Sequence, residues 1–172
     1  MIDYRIRADN RFSEKMGVLV SMLEHTRAVT LQDVSNLSQS DLDYLPDGSS
    51  NSIGALLLHI ASIEFVHQVI TAENRDINDK ERLKWETALE LGDRARREIK
   101  EMPLDYYLNV LATTRRKTLL LLESKDDHWL FEDMKWDNGI PYNKYWMWYH
   151  VMEDEINHRG QIRFIQRLIQ NK

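Results

Sequence analysis

The chain has 172 residues, a formal net charge of -5 and no cysteine. That length suits one domain, residues 1–172, able to bury its core without staples, and the acidic balance argues against a polyanion-binding surface and so against nucleic acid as a partner. The lack of cysteine excludes disulfides and a thiolate nucleophile of the protein's own, so any thiol chemistry needs a thiol brought by a substrate.

The N-terminal residues Met1 to Arg5 alternate in charge, and no later apolar run approaches the roughly 18 residues expected of a membrane span. The expectation is a cytoplasmic protein with no membrane partner. A first helix is expected from about Phe12 to Val29, burying Met16, Leu19, Val20 and Leu23, followed by a polar segment from Ser35 to Leu45. Pro46-Asp47-Gly48-Ser49-Ser50 breaks the chain, and Asn51 or Ser52 then caps a second helix that continues to about Glu73. Because that helix is apolar over more than half its circumference, it belongs at the centre.

From Ile77 to Met102 the pattern is charged and weakly amphipathic, which reads as one short helix plus a crossover anchored by Trp85, Leu89 and Leu91. A third long helix is expected after Pro103, from Asp105 to about Ser124, turning Leu108, Leu111, Thr114 or Arg115, Thr118, Leu119 and Leu122 inward. The basic runs Arg94-Ala95-Arg96-Arg97 and Arg115-Arg116-Lys117 read as solvated faces. A loop with Trp129, Phe131 and Trp136 leads to a last helix, capped by Asn143 and running to about Ile169. Strand alternation is missing throughout, so the expected fold class is all-α, a four-helix bundle with one long crossover connection.

His150, Asp154 and His158 recur every four residues on that last helix, a spacing that stacks three side chains able to hold a cation on one face. A solvated polar stripe is the competing reading. Metal sites in bundles draw on facing helices, and His59 falls in the row Leu56, His59, Ile63, Val66, Ile70, which points to the core. By itself such a histidine is as well explained by a hydrogen bond to a backbone carbonyl. Asp154-Glu155-Ile156-Asn157-His158 also approximates the zincin pattern with its first histidine replaced, which would make Glu155 a general base. Glu153 and Glu155, lying to either side of Asp154, read better as groups orienting the ligands or as surface charges.

Ser52-Ile53-Gly54-Ala55-Leu56-Leu57-Leu58-His59 and Glu153-Asp154-Glu155-Ile156-Asn157-His158-Arg159-Gly160-Gln161-Ile162 together resemble the DinB/YfiT-like superfamily of metalloenzymes, with elements in matching order over nearly the whole chain. The resemblance implies a divalent ion on His59, Asp154 and His158, with aspartate standing where the family usually has the first histidine of a pair. Aspartate is a competent ligand, and two histidines with one carboxylate suit zinc and non-haem iron. Zinc or nickel is expected first, then iron or manganese. Alternatively the site is weakened, with His150 supplying an imidazole or a hydrogen bond.

Relatives implied by the resemblance are S-transferases and isomerases that use low-molecular-weight thiols such as bacillithiol or mycothiol, so a metal-dependent thiol transferase or a hydrolase with a small-molecule substrate is expected, with His150 orienting a ligand or shuttling a proton. The other reading is a non-catalytic bundle, metal-stabilised or metal-free, acting in protein interaction or a stress response; in either case family members are often homodimers. Arg159 is expected to tie the helix to a carboxylate such as Glu64 or one on a partner subunit, and Gly160 to permit close approach of a neighbouring helix or to leave space near the metal for a ligand. The aromatic residues Tyr142, Tyr145, Trp146, Trp148 and Tyr149 are expected to serve as core or interface, or to wall a pocket.

Overall fold

A computed structural model describes residues 2–171. Eight helices and one two-stranded hairpin occur among the described residues: α1 (Glu14–Val34), α2 (Gln39–Leu42), α3 (Ile53–Glu73), α4 (Asp79–Glu90), α5 (Gly92–Glu98), α6 (Leu104–Glu123), α7 (Asp127–Leu130), β1 (Asp133–Lys135), β2 (Pro141–Asn143) and α8 (Lys144–Gln170). The four long helices α1, α3, α6 and α8 form an all-α bundle in which α3 packs on both α6 and α8, and α1 packs on α8. The pair α4 and α5 makes the long crossover, with α4 lying against α3.

Local chemistry sets most of the helix ends. The Ser52 side chain accepts from the Ala55 amide at the start of α3, and Asn74 closes that helix in the left-handed region with φ 51°. Asn78 and Glu81 form a reciprocal capping box on α4, and Asn143 accepts from the Trp146 amide to start α8. Ser13 makes no such bond for α1; instead the Asp127 carboxylate, from the far end of the chain, accepts from the amides of Lys15 and Met16. Burial works against ionising Asp127, but Ser13 and these two amides outweigh it and hold its carboxyl below the usual range.

The core has two apolar levels with a polar level between them. One gathers Val34, Leu56, Ile60, Leu111, Ile162 and Ile165, and the other Met16, Leu19, Leu23, Leu122, Trp148 and Val151. Each long helix carries one buried charge here: Arg27 on α1, Arg115 on α6 and Glu155 on α8 lie between the two levels in sequence, and Glu64 on α3 follows that helix's part of the first level. Gly54 lets α6 come close to α3, since a Cβ there would lie 2.6 Å from the Tyr107 hydroxyl.

Several expectations are corrected. The first helix continues past Val29 to Val34, which is fully buried and gives its last turn something to pack on. The crossover holds two helices, broken where Leu91 and Gly92 take positive φ. A hairpin is present, pairing Asp133 with Asn143, Met134 with Tyr142 and Lys135 with Pro141. Of the basic run read as a solvated face, Arg115 is buried, as its place among the inward positions of α6 allowed, because it ends on carboxylates. Finally, α3 is long and apolar enough, by length and composition alone, to cross a membrane; here most of it is buried inside the bundle.

Candidate metal centre

His59 on α3 and the pair Asp154 and His158 on α8 meet where these two helices pack. His59 Nδ1 lies 2.8 Å from the Ala88 carbonyl oxygen of α4. A carbonyl can only accept, so Nδ1 carries the proton and Nε2 presents its lone pair on the other edge of the ring. That Nε2 lies 3.6 Å from Asp154 Oδ1, and His158 Nε2 lies 3.3 Å from the same oxygen. The three ligand atoms lie within 4.8 Å of one another. A tetrahedral ion with bonds of about 2.0–2.2 Å holds its ligands roughly 3.4 Å apart, so the two edges at Asp154 are of the right length.

Unpaired polar atoms support the fit. Asp154 Oδ2 and His158 Nδ1 are buried and have no hydrogen-bond partner among the described residues. A buried carboxylate oxygen without a donor is costly, and a cation removes that cost. Electrostatics point the same way: burial works against ionising Asp154, yet His158 and His59 overcome it and hold the carboxyl well below the usual carboxylate range. Burial likewise opposes protonation of His59, but Asp154 and the Ala88 carbonyl outweigh it and raise its pKa. The site therefore favours a positive charge beside Asp154, from either a proton or an ion.

His150 is not part of this cluster. One turn before Asp154, it is half-buried, its Nδ1 lies 3.1 Å from Glu153 Oε2, and its ring stacks on Trp146 with centroids 5.3 Å apart. It faces His67 of α3, whose centroid is 5.6 Å away. His67 escaped the sequence reading, although its position two turns after His59 on the central helix was a usable signal. Its Nδ1 donates to the Ile63 carbonyl at 2.7 Å, and burial keeps its pKa below the ordinary value.

Other expectations fall to the buried charges. The central row of α3 is Ile60, Glu64, His67 and Thr71 rather than Ile63, Val66 and Ile70, which are only half-buried. Glu155 is neither a surface charge nor a general base, because Arg27 Nε holds its Oε1 at 2.9 Å in full burial. Arg159 does not reach Glu64 and donates instead to the Thr26 carbonyl at 3.1 Å, while Glu64 is taken by Arg27 and Arg115. Gly160 has nothing within 4 Å of where a Cβ would stand, so no helix approaches it; it lines an open concavity with Asn157, Gln161 and Phe164.

The aromatic residues divide. Trp148 is fully buried in the core, whereas at the surface hairpin Trp136 stacks on Tyr142, Trp146 meets both edge-on, and Trp146 in turn stacks on His150.

The sequence family described as mycothiol-S-transferase matches residues 18–170. The chain belongs to that family. It is a DinB-like family, in keeping with the resemblance carried by the His59 and Asp154-to-Gln161 segments. A crystal structure of a conserved protein from Enterococcus faecalis superposes on the family member described here with a TM-score of 0.68 at 14% identity, covering 90% of this chain and 96% of that one. At that identity the likeness concerns the fold alone. No protein of curated function matches the chain in sequence.

Proposed function

We propose that the chain is a single-domain, divalent-metal-dependent transferase that activates a low-molecular-weight thiol cosubstrate at His59, Asp154 and His158. The observation that carries this reading is the convergence of three ligand atoms on a space bordered by the unpartnered Asp154 Oδ2. Membership of the mycothiol-S-transferase family supports a thiol as cosubstrate. The absence of cysteine requires that the sulfur come from outside.

A divalent ion held by these residues supplies positive charge that lowers the pKa of a thiol beside it. The chain's own residues do the rest. The Ala88 carbonyl keeps His59 in the tautomer whose Nε2 is free, and Asp154 contributes one negative charge against the ion's two. Three protein ligands leave room for an exogenous one. His150, half-exposed and backed by Glu153, takes the thiol proton at a ring nitrogen, and the stacked Trp146 keeps its ring in place. The occupant is expected to be zinc or nickel before iron or manganese, because the exogenous ligand is a soft thiolate beside borderline imidazoles.

A non-catalytic reading draws on Phe131, Trp136, Ile140 and Trp146, large apolar residues exposed around the hairpin that suit a homodimer or another protein contact. One experiment separates the two. Metal content is measured on the full chain and on His59→Ala, Asp154→Ala and His158→Ala, followed by transfer of a panel of low-molecular-weight thiols to monobromobimane. Near-stoichiometric metal and thiol transfer, both lost in all three variants, are the expected result. A wild-type chain that takes up none of zinc, nickel, iron or manganese would sink the transferase and leave the interaction protein.

A further inference from the structure

A second concavity lies between α3, α4 and α6, on the opposite side of His59 from Asp154. Ala88 contributes to its wall, and the carbonyl of that same residue holds His59 Nδ1, the ring edge away from the ligand atom Nε2. The concavity is therefore separate from the candidate metal centre. Its volume, about 630 Å³, lies within the range of small-molecule sites.

Its floor is apolar. Phe65 of α3 and Trp85 of α4 stack with centroids 5.2 Å apart and planes 21° apart, and Val110 of α6 completes the surface. Its rim carries the opposite sign to the chain as a whole. Lys80 and Lys84 of α4 and Lys117 of α6 line the mouth, all three exposed, and none forms an ion pair among the described residues. Lys84 Nζ instead sits 4.9 Å above the Trp85 ring, directly over the apolar floor. The carboxylate at this rim, Glu81, is already engaged by Arg75, with bonds of 2.7 and 2.9 Å. In a chain with 28 acidic and 23 basic side chains, three unpaired ammonium groups around one aromatic floor form a local site of positive potential.

We propose that this cavity binds a small amphipathic organic anion, with its alkyl or aromatic body against Phe65, Trp85 and Val110 and its carboxylate among Lys80, Lys84 and Lys117. Apolar contact supplies affinity, and the lysines set the orientation and reject cations. The site needs no metal, so its occupancy is independent of the transferase reading.

Decanoate, used below its micelle concentration, is a suitable probe, with decylammonium as the charge-reversed control. Calorimetric titration of the full chain is expected to show saturable one-to-one binding of decanoate and at least about tenfold weaker binding of decylammonium. The double variant Lys84→Glu/Lys117→Glu alters only exposed side chains and is expected to lose at least tenfold in decanoate affinity with an unchanged thermal melt. Val110→Trp, which fills the floor, is expected to abolish binding, with circular dichroism confirming that the variant is folded. Equal binding of the two amphiphiles, unaltered binding in the lysine double variant, or no saturable binding to the wild-type chain would each overturn the proposal.

Discussion

Asp154 and Glu155 are neighbours on α8, yet they belong to two ionised clusters built on opposite terms. Glu155 and Glu64 face Arg27 and Arg115: Arg27 Nη2 donates to Glu64 at 2.9 Å, Arg115 Nε donates to Glu64 at 2.7 Å, and Thr118 adds a hydroxyl donor at 2.6 Å. Two buried charges of each sign meet, the exposed Glu24 adds a further carboxylate on Arg115 at 2.9 Å, and no buried side-chain atom of the four lacks a partner. Asp154 meets two imidazoles that need not be charged, and one of its oxygens has no donor. The difference teaches where binding capacity resides. A closed network ties four helices together and has nothing left to offer a ligand, whereas an open one keeps an unmet demand for positive charge.

Breaking the closed network carries the largest expected effect. Glu64→Leu leaves two buried guanidinium groups with Glu155 as their one buried carboxylate, the exposed Glu24 still reaching Arg115, and is expected to cost about 3–5 kcal/mol by urea denaturation. Replacing all four residues together with apolar side chains of similar volume should return most of that, because no charge is then stranded. If the single variant loses less than about 1 kcal/mol, the supposed closure is an illusion and water already shares those partners.

Acid sharpens the same contrast. Burial works to raise the pKa of Glu64, but Arg115 and Arg27 overcome it and bring the group from 4.5 down to about 2. A depressed folded pKa contributes stability that is present above the unfolded value and is lost as the pH falls through the folded one. Stability should therefore drop between about pH 4.5 and 2, by an amount on the order of 3 kcal/mol, and Glu64→Gln should lack that part of the slope.

In the open cluster His59 should answer to pH in the other direction. The folded pKa of His59 is raised, so in metal-free protein its contribution is fully present below the ordinary value of 6.5 and is lost as the pH rises through the folded one. Metal requires the neutral imidazole, so zinc affinity should climb over the same interval in which metal-free stability declines. Competition titrations with a chelating dye read the first trend and chemical denaturation the second. Asp154→Asn should weaken zinc binding on the order of 100-fold, and a loss under tenfold would mean that Asp154 is not a ligand.

The smallest effect belongs to Gly160. With open space where its side chain would stand, Gly160→Ala should stabilise the chain by about 0.4–1 kcal/mol in thermal or chemical denaturation. Destabilisation would show that something closes over this face of α8.

Much of the architecture was legible in the sequence because it is local. The apolar period and the caps Ser52 and Asn143 placed α3 and α8 within a residue or so of their observed ends. The spacing of Asp154 and His158 is a helical repeat, and a histidine in an apolar helix facing them needs no long-range information to attract notice. The hairpin escaped because strands of three residues are too short to show alternation. The buried quartet escaped for a different reason: Arg27 meets Glu64 at a separation of 37 residues and Glu155 at 128, so each charge looks like surface until its partner is known. Glu64 was the one visible clue, an acid inside the most apolar helix of the chain. Gly160 misled because sequence shows that a side chain is missing without showing whether a neighbour or open space takes its place.

That same helix has a consequence during synthesis. α3 leaves the ribosome before α6 and α8, the helices that later cover it, and it then displays a 21-residue segment apolar enough to pass for a membrane span. An acidic residue at the centre of such a segment costs about 2.5–3.5 kcal/mol on entering the bilayer through the insertion machinery. Glu64 stands near that centre. The carboxylate that two arginines neutralise in the finished bundle thus makes the uncovered helix a poorer candidate for lipid than its hydropathy alone implies.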